Sequence, residues 1–226
     1  MTSPGWLIRS LADVPADDAW LGPGEANVLA GLRVEKRRAD WRLGRYTAKA
    51  AVAAWLNVSP ARVEIMAAPD GAPEARLDGR RAPASLSLSH RGGRALAVVG
   101  EPGAAVGCDL ELIEPRSRAF VTDWLAPSEQ ALVAACGAPR RDLVANLLWT
   151  GKEAAAKVLR EGLRLDVRRA VATPDGVDST PGEWRRLTIA WTDGGGRVAG
   201  WWRSEPGWVM AIAGEPPPGP PRALDG

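Results

Sequence analysis

Apolar and polar residues follow two different periods along this chain, which predicts a mixture of helices and strands. Apolar positions recur at helical spacing over residues 24–56, and Asn57 directly follows, as is typical of a helix end. The same periodicity predicts helices over residues 119–136, with a break near Pro127, and over residues 141–160. Long helical segments are therefore expected in both halves of the chain.

Strands are predicted where the period changes to two, or where short apolar runs lie between turn residues. Residues 84–89 alternate leucine with serine, as a half-buried strand does, and a glycine-rich turn leads to an apolar strand at 95–99. A third strand, at 104–113, is mostly apolar but contains two acidic residues. The remaining expectations are strands at residues 187–191, 197–202 and 208–213, and turns with one short strand at residues 67–83.

Two pairs of similar segments indicate an internal repeat. Residues 94–100 resemble residues 208–214, and the Trp-led, alanine-rich helix at 41–56 resembles the one at 149–159. The predicted fold class is therefore α+β. Two similar α/β halves, each with antiparallel strands packed on a long helix, are expected to form an intramolecular pseudo-dimer.

The halves are expected at residues 1–105 and 106–214, the second of them carrying the metal site. They are followed by a Pro-rich tail, residues 215–226, that is expected to be disordered. A ligand cleft is expected where the halves meet. A chain that already contains both halves is expected to be a monomer.

Composition narrows the chemistry that this chain can perform. A net charge of +2 is too small for a general nucleic-acid binder, and no apolar run approaches the ~18 residues that a membrane span needs. Cys108 and Cys136 form neither a disulfide framework nor a thiolate metal site, which fits a cytoplasmic protein. His90 is the single histidine, so a metal would be held by carboxylates and would be a hard ion such as Mg²⁺.

Asp109 and Glu111 are the acidic residues in the apolar strand at 104–113. They are two positions apart, so their side chains leave the same face of the strand. Two adjacent carboxylates resist ionisation through desolvation and mutual repulsion, and a divalent cation removes both penalties. The alternative is a strand end whose acidic face lies in solvent.

Glu153 and Lys157 are four residues apart on the third predicted helix and share one face. An isolated pair of this kind is usually a surface ion pair. Here the residues between them are all alanine, which indicates a helix that packs closely against another element. Glu153 could then supply a third carboxylate for the metal, and Lys157 an ammonium for a phosphate oxygen.

The other candidate residues are basic. His90 ends the strand Ser87-Leu-Ser89-His90 before a glycine-rich turn, where an imidazole can face an anion, although a lone histidine is more often a structural hydrogen-bonding residue. Arg37 and Arg45 lie about two helical turns apart and therefore near one face of the helix. Their guanidinium groups suit phosphate binding, although a basic helix face is usually only solvated. The G-x-S-x-G elbow, the Walker loop and the G-x-G-x-x-G fingerprint are absent from the sequence.

Taken in order, these segments resemble the surfactin-synthetase-activating type of 4'-phosphopantetheinyl transferase. The family has a G-[IV]-D-x-E strand and, downstream, a [WF]-[STA]-x-K-E-x-x-x-K helix; here these are Gly107-Cys-Asp109-Leu-Glu111 and Trp149-Thr-Gly-Lys152-Glu153-Ala-Ala-Ala-Lys157. The S-x-S-H strand, the basic helix ending in Gly44-Arg45 and the segment at 161–165 also correspond, so the resemblance covers most of residues 24–213. Cys108 replaces a branched aliphatic residue. Gly71-Ala72-Pro73 lacks a basic residue that many members have, so one phosphate contact is missing or comes from a nearby arginine.

The resemblance implies the transferase fold and a Mg²⁺-dependent transfer of phosphopantetheine from coenzyme A to a serine of an apo acyl or peptidyl carrier protein, with release of 3',5'-ADP. Coenzyme A is expected between the halves. The implied pathways are polyketide, nonribosomal-peptide or fatty-acid synthesis. The resemblance also implies roles for single residues. The implied metal ligands are Asp109, Glu111 and Glu153, and the implied catalytic residues are Glu153 and Lys157. The residues implied to bind coenzyme A are Arg37, Arg45, Ser89, His90, Lys152 and Lys157.

A carrier protein would have to dock beside this site. Phe120, Val121, Trp124 and Leu125 have helical spacing near the acidic strand and are expected to form an apolar docking patch, or else to be core. Two other functions remain open at this point. One is a Mg²⁺-dependent phosphohydrolase acting on a nucleotide diphosphate, and the other is a non-catalytic module that binds coenzyme A or a carrier.

Overall fold

The computed structural model describes residues 2–138, 140–160, 166–178, 180–192, 194 and 196–225. The helices in these residues are α1 Pro23–Gly31, α2 Glu35–Leu56, α3 Arg118–Trp124, α4 Pro127–Ala134 and α5 Arg140–Leu159. The strands are β1 Gly5–Ser10, β2 Val63–Ala67, β3 Pro73–Leu77, β4 Arg80–Arg81, β5 Ser85–Arg91, β6 Arg94–Gly100, β7 Ala105–Leu112, β8 Ala170–Pro174, β9 Arg185–Trp191, β10 Arg197–Glu205, β11 Trp208–Glu215 and β12 Arg222–Ala223. The fold is therefore α+β, as predicted.

The single helix expected over residues 24–56 is wrong, because the chain becomes extended between α1 and α2. Leu32 and Val34 both have extended backbone angles. The break is held by Arg38, whose Nη1 donates to the carbonyl oxygens of Leu29 at 2.8 Å and Leu32 at 3.1 Å. These bonds satisfy carbonyls that the end of α1 leaves open. Apolar periodicity continued through the break and so concealed it.

The chain divides into two compact units between Val106 and Gly107. The N-terminal unit comprises residues 2–106 together with 221–225. It contains a four-stranded sheet in the order β12-β1-β6-β5 and a three-stranded sheet in the order β2-β3-β4. Strands β3 and β4 lie within residues 67–83, where the sequence predicted turns and one short strand. Helix α2 packs on β1 and β6 through a stripe that includes Ala48 and Val52, both fully buried.

The tail that was expected to be disordered is ordered at its end, so that expectation is wrong. Residues Arg222–Ala223 form β12, which pairs in parallel with β1, and Leu224 N donates to the Trp6 carbonyl at 2.9 Å. Earlier in the tail, the Pro218 carbonyl accepts a bond from Trp201 Nε1 at 3.1 Å. Proline removes backbone donors but leaves its carbonyl as an acceptor, so a Pro-rich segment can still be fixed by its neighbours.

The C-terminal unit comprises residues 107–220 and contains one five-stranded sheet in the order β7-β11-β10-β9-β8. Helix α5 packs across this sheet, mainly against β11 and β8. Helices α3 and α4 come between β7 and α5, with the predicted break at Pro127. Cys108 and Cys136 are free thiols. Within the described residues, no helix has both the length and the apolar character that membrane crossing requires.

Candidate active site

Strand β7 and helix α5 approach each other so closely that only glycine fits at position 107. A Cβ atom built on Gly107 would lie 2.0 Å from the Ala154 carbonyl oxygen and 2.9 Å from the Val158 nitrogen. Both distances are shorter than van der Waals contact, and the obstructing atoms are helix backbone. The small Ala154 and Ala155 are fully buried. This contact places the acidic residues of β7 beside the charged face of α5.

Asp109 and Lys157 form the central ion pair of this contact. Lys157 Nζ lies 2.9 Å from Asp109 Oδ1, and it also donates to the Cys108 carbonyl at 2.8 Å. Asp109 is buried, at 6% exposed, whereas a third of the Lys157 side chain is exposed. Burial disfavours the ammonium, but the charges of Asp109 and then Glu153 prevail and raise the pKa of Lys157. Lys157 therefore stays charged.

Glu153 lies in the same electrostatic environment, and its ionisation is disfavoured. Burial raises the pKa of Glu153, the charges of Asp109 and Glu111 raise it further, and Lys157 opposes them. These four charged side chains thus act on one another electrostatically. Their roles in binding and catalysis remain predictions.

Glu111 has a partner that sequence reasoning did not assign to it. Arg116 Nη2 lies 3.1 Å from Glu111 Oε2, and Arg116 Nε donates to Asn146 Oδ1 on α5 at 2.6 Å. Asn146 Nδ2 in turn donates to the carbonyl oxygen of Glu114 at 2.8 Å. The sequence analysis gave Arg116 no role at the carboxylates, and the only available signal was a basic residue shortly after the acidic strand.

The donor chemistry of these carboxylates fits a hard divalent ion. Glu153 is repelled by Asp109 and Glu111, and a cation among the three would remove that repulsion. Over the parts of the chain that the structure describes, however, no three acidic, histidine or cysteine side chains are gathered closely enough to hold a metal. Lys157 and Arg116 engage Asp109 and Glu111 instead.

Lys152 lies in a different environment from the one that the sequence predicted for it. Its side chain is completely buried, and its Nζ lies 2.5 Å from Glu129 Oε2 and 3.0 Å from the Trp124 carbonyl oxygen. Burial lowers the pKa of Lys152, and Glu129 counteracts this effect. A phosphate could contact this ammonium only if the ion pair were broken, so the geometry disfavours the predicted phosphate role.

The predicted phosphate-binding residues Ser89, His90, Arg37 and Arg45 all lie in the N-terminal unit. Ser89 is buried and His90 exposed at the end of β5, opposite Leu96 and Ala95 of β6. On α2, Arg37 is exposed, whereas Arg45 is half-buried. The segment at 161–165, part of the family resemblance, lies outside the described residues.

Arg45 is the basic residue of α2 whose surroundings depart most from solvent. Its guanidinium carbon lies 4.9 Å from the centre of the Trp41 ring, and burial lowers the pKa of Arg45 while Glu25 opposes the shift. Its Nε is buried and makes no hydrogen bond within the described structure. A buried donor of this kind is suited to an anionic ligand.

The four apolar residues of the expected docking patch separate into two groups. Val121 and Leu125 are core, at 9% and 2% exposed, whereas Trp124 is 41% exposed and Phe120 is half-buried. The rings of Phe120 and Trp124 each lie 5.4 Å from the Trp149 ring in edge-on contact. Only these two aromatic residues remain available to a partner.

Comparison with known proteins gives a match that covers this region. The model of one family, described as the 4'-phosphopantetheinyl transferase superfamily, matches residues 105–212, which include Asp109, Glu111, Glu153 and Lys157. No curated protein matches the chain.

Two solved structures are also similar to part of the chain. The first is a holo-(acyl-carrier-protein) synthase from Bacillus anthracis str. Ames in complex with CoA (3',5'-ADP), with 24% identity over 43% of this chain and 93% of that one, and a TM-score of 0.37. The second is the Helicobacter pylori holo-[acyl-carrier-protein] synthase in complex with coenzyme A, with 22% identity over 43% of this chain and 98% of that one, and a TM-score of 0.35.

Proposed function

We propose, because residues 105–212 match the model of the 4'-phosphopantetheinyl transferase superfamily, that this chain transfers the phosphopantetheine arm of coenzyme A to a serine of an apo carrier protein. The other product is 3',5'-ADP, and the reaction depends on Mg²⁺. The observation that carries the proposal is the cluster formed by Asp109, Lys157 and the neighbouring Glu153, because this cluster lies inside the matched segment.

Asp109, Glu111 and Glu153 are the residues that would hold Mg²⁺, for which they would have to lie closer together than they do in this structure. When bound, the ion supplies positive charge that offsets the negative charge of the pyrophosphate during transfer. Arg116 supports this role by orienting Glu111, since its guanidinium contacts both Glu111 and Asn146 on α5.

Glu153 is proposed as the base that accepts the proton of the carrier serine. A serine hydroxyl is a weak nucleophile until its proton is removed, and a base is most effective when its pKa lies near the working pH. The raised pKa of Glu153 moves this carboxylate in that direction.

Lys157 is proposed to stabilise the negative charge that develops on the leaving phosphate. A lysine in this position could stabilise the leaving group electrostatically or protonate it. Its raised pKa makes it a poorer proton donor at neutral pH, which favours electrostatic stabilisation. The contact with Asp109 holds the ammonium in place before the reaction.

The charged end of coenzyme A is proposed to bind residues of the N-terminal unit. Arg45, with its buried and unbonded Nε, is the strongest candidate for the 3'-phosphate region. Arg37, Ser89 and His90 are proposed as further contacts with that phosphate and the pyrophosphate, in line with the family resemblance. Lys152 is left out of this set because of its buried ion pair with Glu129.

The carrier protein is proposed to dock on α3 through Phe120 and Trp124. Carrier-protein helices would bring acidic residues to Arg118, which is exposed, and apolar residues to the exposed Trp124 ring. Val121, which the sequence analysis included in this patch, is buried and contributes to the core instead.

Intact-mass measurement tests the proposal directly. The purified protein is incubated with coenzyme A, MgCl₂ and a panel of apo carrier proteins, and each carrier is then weighed. A gain equal to one phosphopantetheine arm, lost on addition of EDTA and restored by excess Mg²⁺, is expected for at least one carrier of polyketide, nonribosomal-peptide or fatty-acid synthesis.

The other outcomes point to the alternative functions. If no carrier gains mass but calorimetry detects coenzyme A binding, the chain is a binding module. If coenzyme A does not bind either, the transferase proposal fails, and hydrolysis of nucleotide diphosphates becomes the activity to assay.

A further inference from the structure

Lys152 directly precedes the proposed base Glu153, yet its side chain belongs to the interior of the C-terminal unit. None of the side chain is exposed, and its ammonium is held by Glu129 Oε2 at 2.5 Å and the Trp124 carbonyl at 3.0 Å. Neighbouring residues of a helix point about 100° apart around its axis. Fixing the direction of Lys152 therefore also fixes the direction in which Glu153 points.

Glu129 connects this ammonium to the rest of the unit. It is 2% exposed, its Oε2 accepts a bond from Ala126 N at 2.7 Å, and its Oε1 accepts one from Ala172 N on β8, also at 2.7 Å. One buried carboxylate thus links the start of α4, the edge strand β8 and α5. A buried charge pair is tolerable when its remaining hydrogen-bonding groups are satisfied in this way.

Trp124 brings the proposed docking helix into the same network. Its carbonyl lies at the end of α3, where helix carbonyls lack intrahelical partners, and Lys152 supplies one. Its ring lies 5.4 Å from the Trp149 ring, one turn before Glu153 on α5. The Lys152 ammonium therefore fixes the end of α3 relative to the helix that carries Glu153.

The N-terminal unit contains the same ion pair without the neighbouring carboxylate. Lys49 Nζ lies 2.7 Å from Glu25 Oε2; Glu25 also accepts bonds from Gly22 N at 2.8 Å and from Ile65 N at 2.9 Å. The residue after Lys49 is Ala50. The pair therefore also occurs where no carboxylate follows the lysine, so its presence does not depend on a neighbouring metal ligand.

We propose that Lys152 is a positioning residue for the transfer reaction: together with Glu129 and the Trp124 carbonyl it sets the place of Glu153 and of α3, and it does not touch coenzyme A. This inference rests on the proposed function. It departs from the phosphate-binding role that the sequence motif implies for this lysine.

The test compares Lys152→Met, Glu129→Gln and the double variant with the wild type. Methionine preserves the length and apolar stem of lysine, and the double variant leaves no buried charge unpaired, so it is the variant most able to fold. We expect kcat to fall about tenfold to a hundredfold, the effect of displacing a reacting group by up to about 1 Å. The loss in the double variant should equal that in the single variants, because all three break the same contact.

Coenzyme A binding, measured by calorimetry, separates positioning from phosphate contact. A positioning role leaves the Kd for coenzyme A within about twofold of the wild type, whereas loss of a charged hydrogen bond would raise it about tenfold or more. A tenfold weaker Kd in Lys152→Met, or additive losses of kcat in the double variant, would overturn the proposal.

The double variant Lys49→Met with Glu25→Gln is the matched control. It removes the same buried pair from the N-terminal unit, so its Tm should fall by a similar amount. Its kcat at saturating coenzyme A should change less than about threefold, well short of the tenfold loss expected from misplacing the base. Equal losses of kcat in both double variants would assign the effect to stability and remove the positioning role.

Amide hydrogen exchange tests the network without turnover. The N–H groups of Ala126 and Ala172 donate to Glu129, so both should exchange faster in Lys152→Met than in the wild type. If the wild-type protein transfers nothing, the proposed function fails. The network around Lys152 is refuted separately, by unchanged exchange at both amides in Lys152→Met.

Discussion

The two units of this chain repeat one local framework, and within the residues that the structure describes only the C-terminal unit carries the acidic cluster. The segment Trp20-Leu-Gly-Pro-Gly-Glu25 corresponds to Trp124-Leu-Ala-Pro-Ser-Glu129. In each, proline opens a short helix, and the glutamate pairs with a lysine of the following long helix. Each tryptophan also contacts an aromatic ring of that long helix edge-on: Trp20 with Tyr46 at 5.2 Å and Trp124 with Trp149 at 5.4 Å.

The strands extend the correspondence. Leu11 N donates to the Gly93 carbonyl at 3.0 Å, and Ile113 N donates to the Gly207 carbonyl at 2.9 Å. Because these two bonds are equivalent, β1 of the N-terminal unit corresponds to β7 of the C-terminal unit, and β6 corresponds to β11. Gly5 lies six residues before Leu11, and Gly107 lies six residues before Ile113, so Gly5 is the counterpart of Gly107.

Four charged residues of the C-terminal unit therefore have identifiable counterparts in the N-terminal unit. Their counterparts follow from the strand register and from the alignment of Lys49 with Lys152: Leu7 for Asp109, Arg9 for Glu111, Ala50 for Glu153 and Ala54 for Lys157. Three of these residues, Arg9, Ala50 and Ala54, line a cavity of about 430 Å³ in the N-terminal unit. The framework is thus shared, and the chemistry depends on four side chains placed on it.

The largest effect is expected from Glu153→Gln. The substitution keeps the size of the side chain and removes the proposed base, so transfer should fall by about 10²–10⁴-fold, the usual contribution of a positioned acid or base. The rate of carrier modification at saturating coenzyme A and MgCl₂ measures the loss. A rate within a few fold of the wild type would remove Glu153 from the mechanism.

Ala50→Glu provides the comparison with the other unit. Ala50 borders the cavity, so a larger side chain can be accommodated there. Added to Glu153→Gln, it should restore no transfer, because Leu7 and Arg9 do not provide the acidic neighbours that Asp109 and Glu111 provide. Recovery of activity would show that the two units are chemically interchangeable, contrary to the comparison.

Gly107→Ala should cause the next largest effect, on stability. Its Cβ would meet the α5 backbone at 2.0 Å, so β7 and α5 must separate, at a cost of at least about 1–3 kcal/mol. At the counterpart Gly5, a Cβ would instead meet the side chain of Leu224 at 2.7 Å, near the end of the chain. That side chain can move, so Gly5→Ala should cost less. Urea unfolding of both variants checks the order, and equal losses would contradict it.

A smaller effect, confined to the carrier, is expected from Trp124→Ala. Trp124 is 41% exposed on α3, and loss of an aromatic anchor of this kind should raise the KM for the carrier about tenfold while leaving the Kd for coenzyme A unchanged. Trp20→Ala, the counterpart change, removes the equivalent ring contact from the N-terminal unit and should leave the carrier KM unaltered. If both variants raise the carrier KM alike, α3 has no special role in docking.

Much of the C-terminal site was predictable because its signals are local. The two-residue period of a strand places Asp109 and Glu111 on one face, and the helical period does the same for Glu153 and Lys157. The alanines between the last two correctly indicated close packing, which the contact at Gly107 confirms. These features follow from spacing along single elements.

The features that sequence analysis missed depend on contacts between elements. The role of Lys152 is determined by Glu129, which lies on a different helix. Strand β1 was not predicted, because its own residues do not identify it as a strand without the pairing to β6 and β12. The sequence comparison also aligned Trp41 with Trp149, whereas the two ion pairs align Tyr46 with Trp149. Two alanine-rich helices can be aligned in several registers. The buried lysines, Lys49 and Lys152, identify the correct register.

The smallest effect is a pH-dependent gain in stability for Glu153→Gln in the absence of metal. The folded protein raises the pKa of Glu153, so its ionisation opposes folding. The resulting penalty is absent below the unfolded pKa of about 4.3, grows as pH rises from there towards the folded pKa, and is complete above the folded pKa. In EDTA at pH 7 the variant should therefore melt a few degrees above the wild type at most, and the two should coincide near pH 4.

Addition of MgCl₂ should reverse this order. An ion that binds only the folded protein stabilises it, and tighter binding gives more stabilisation at a given ion concentration. The wild type retains the carboxylate proposed as a ligand. Ala50→Gln is the control, because the N-terminal unit has no acidic cluster to relieve and its Tm difference from the wild type should not vary with pH or Mg²⁺. A wild type that is more stable than Glu153→Gln in EDTA at pH 7 would mean that Lys157 outweighs the repulsion from Asp109 and Glu111. The acidic cluster would then be stable without a cation, and the main physical reason for placing Mg²⁺ in the C-terminal unit alone would be lost.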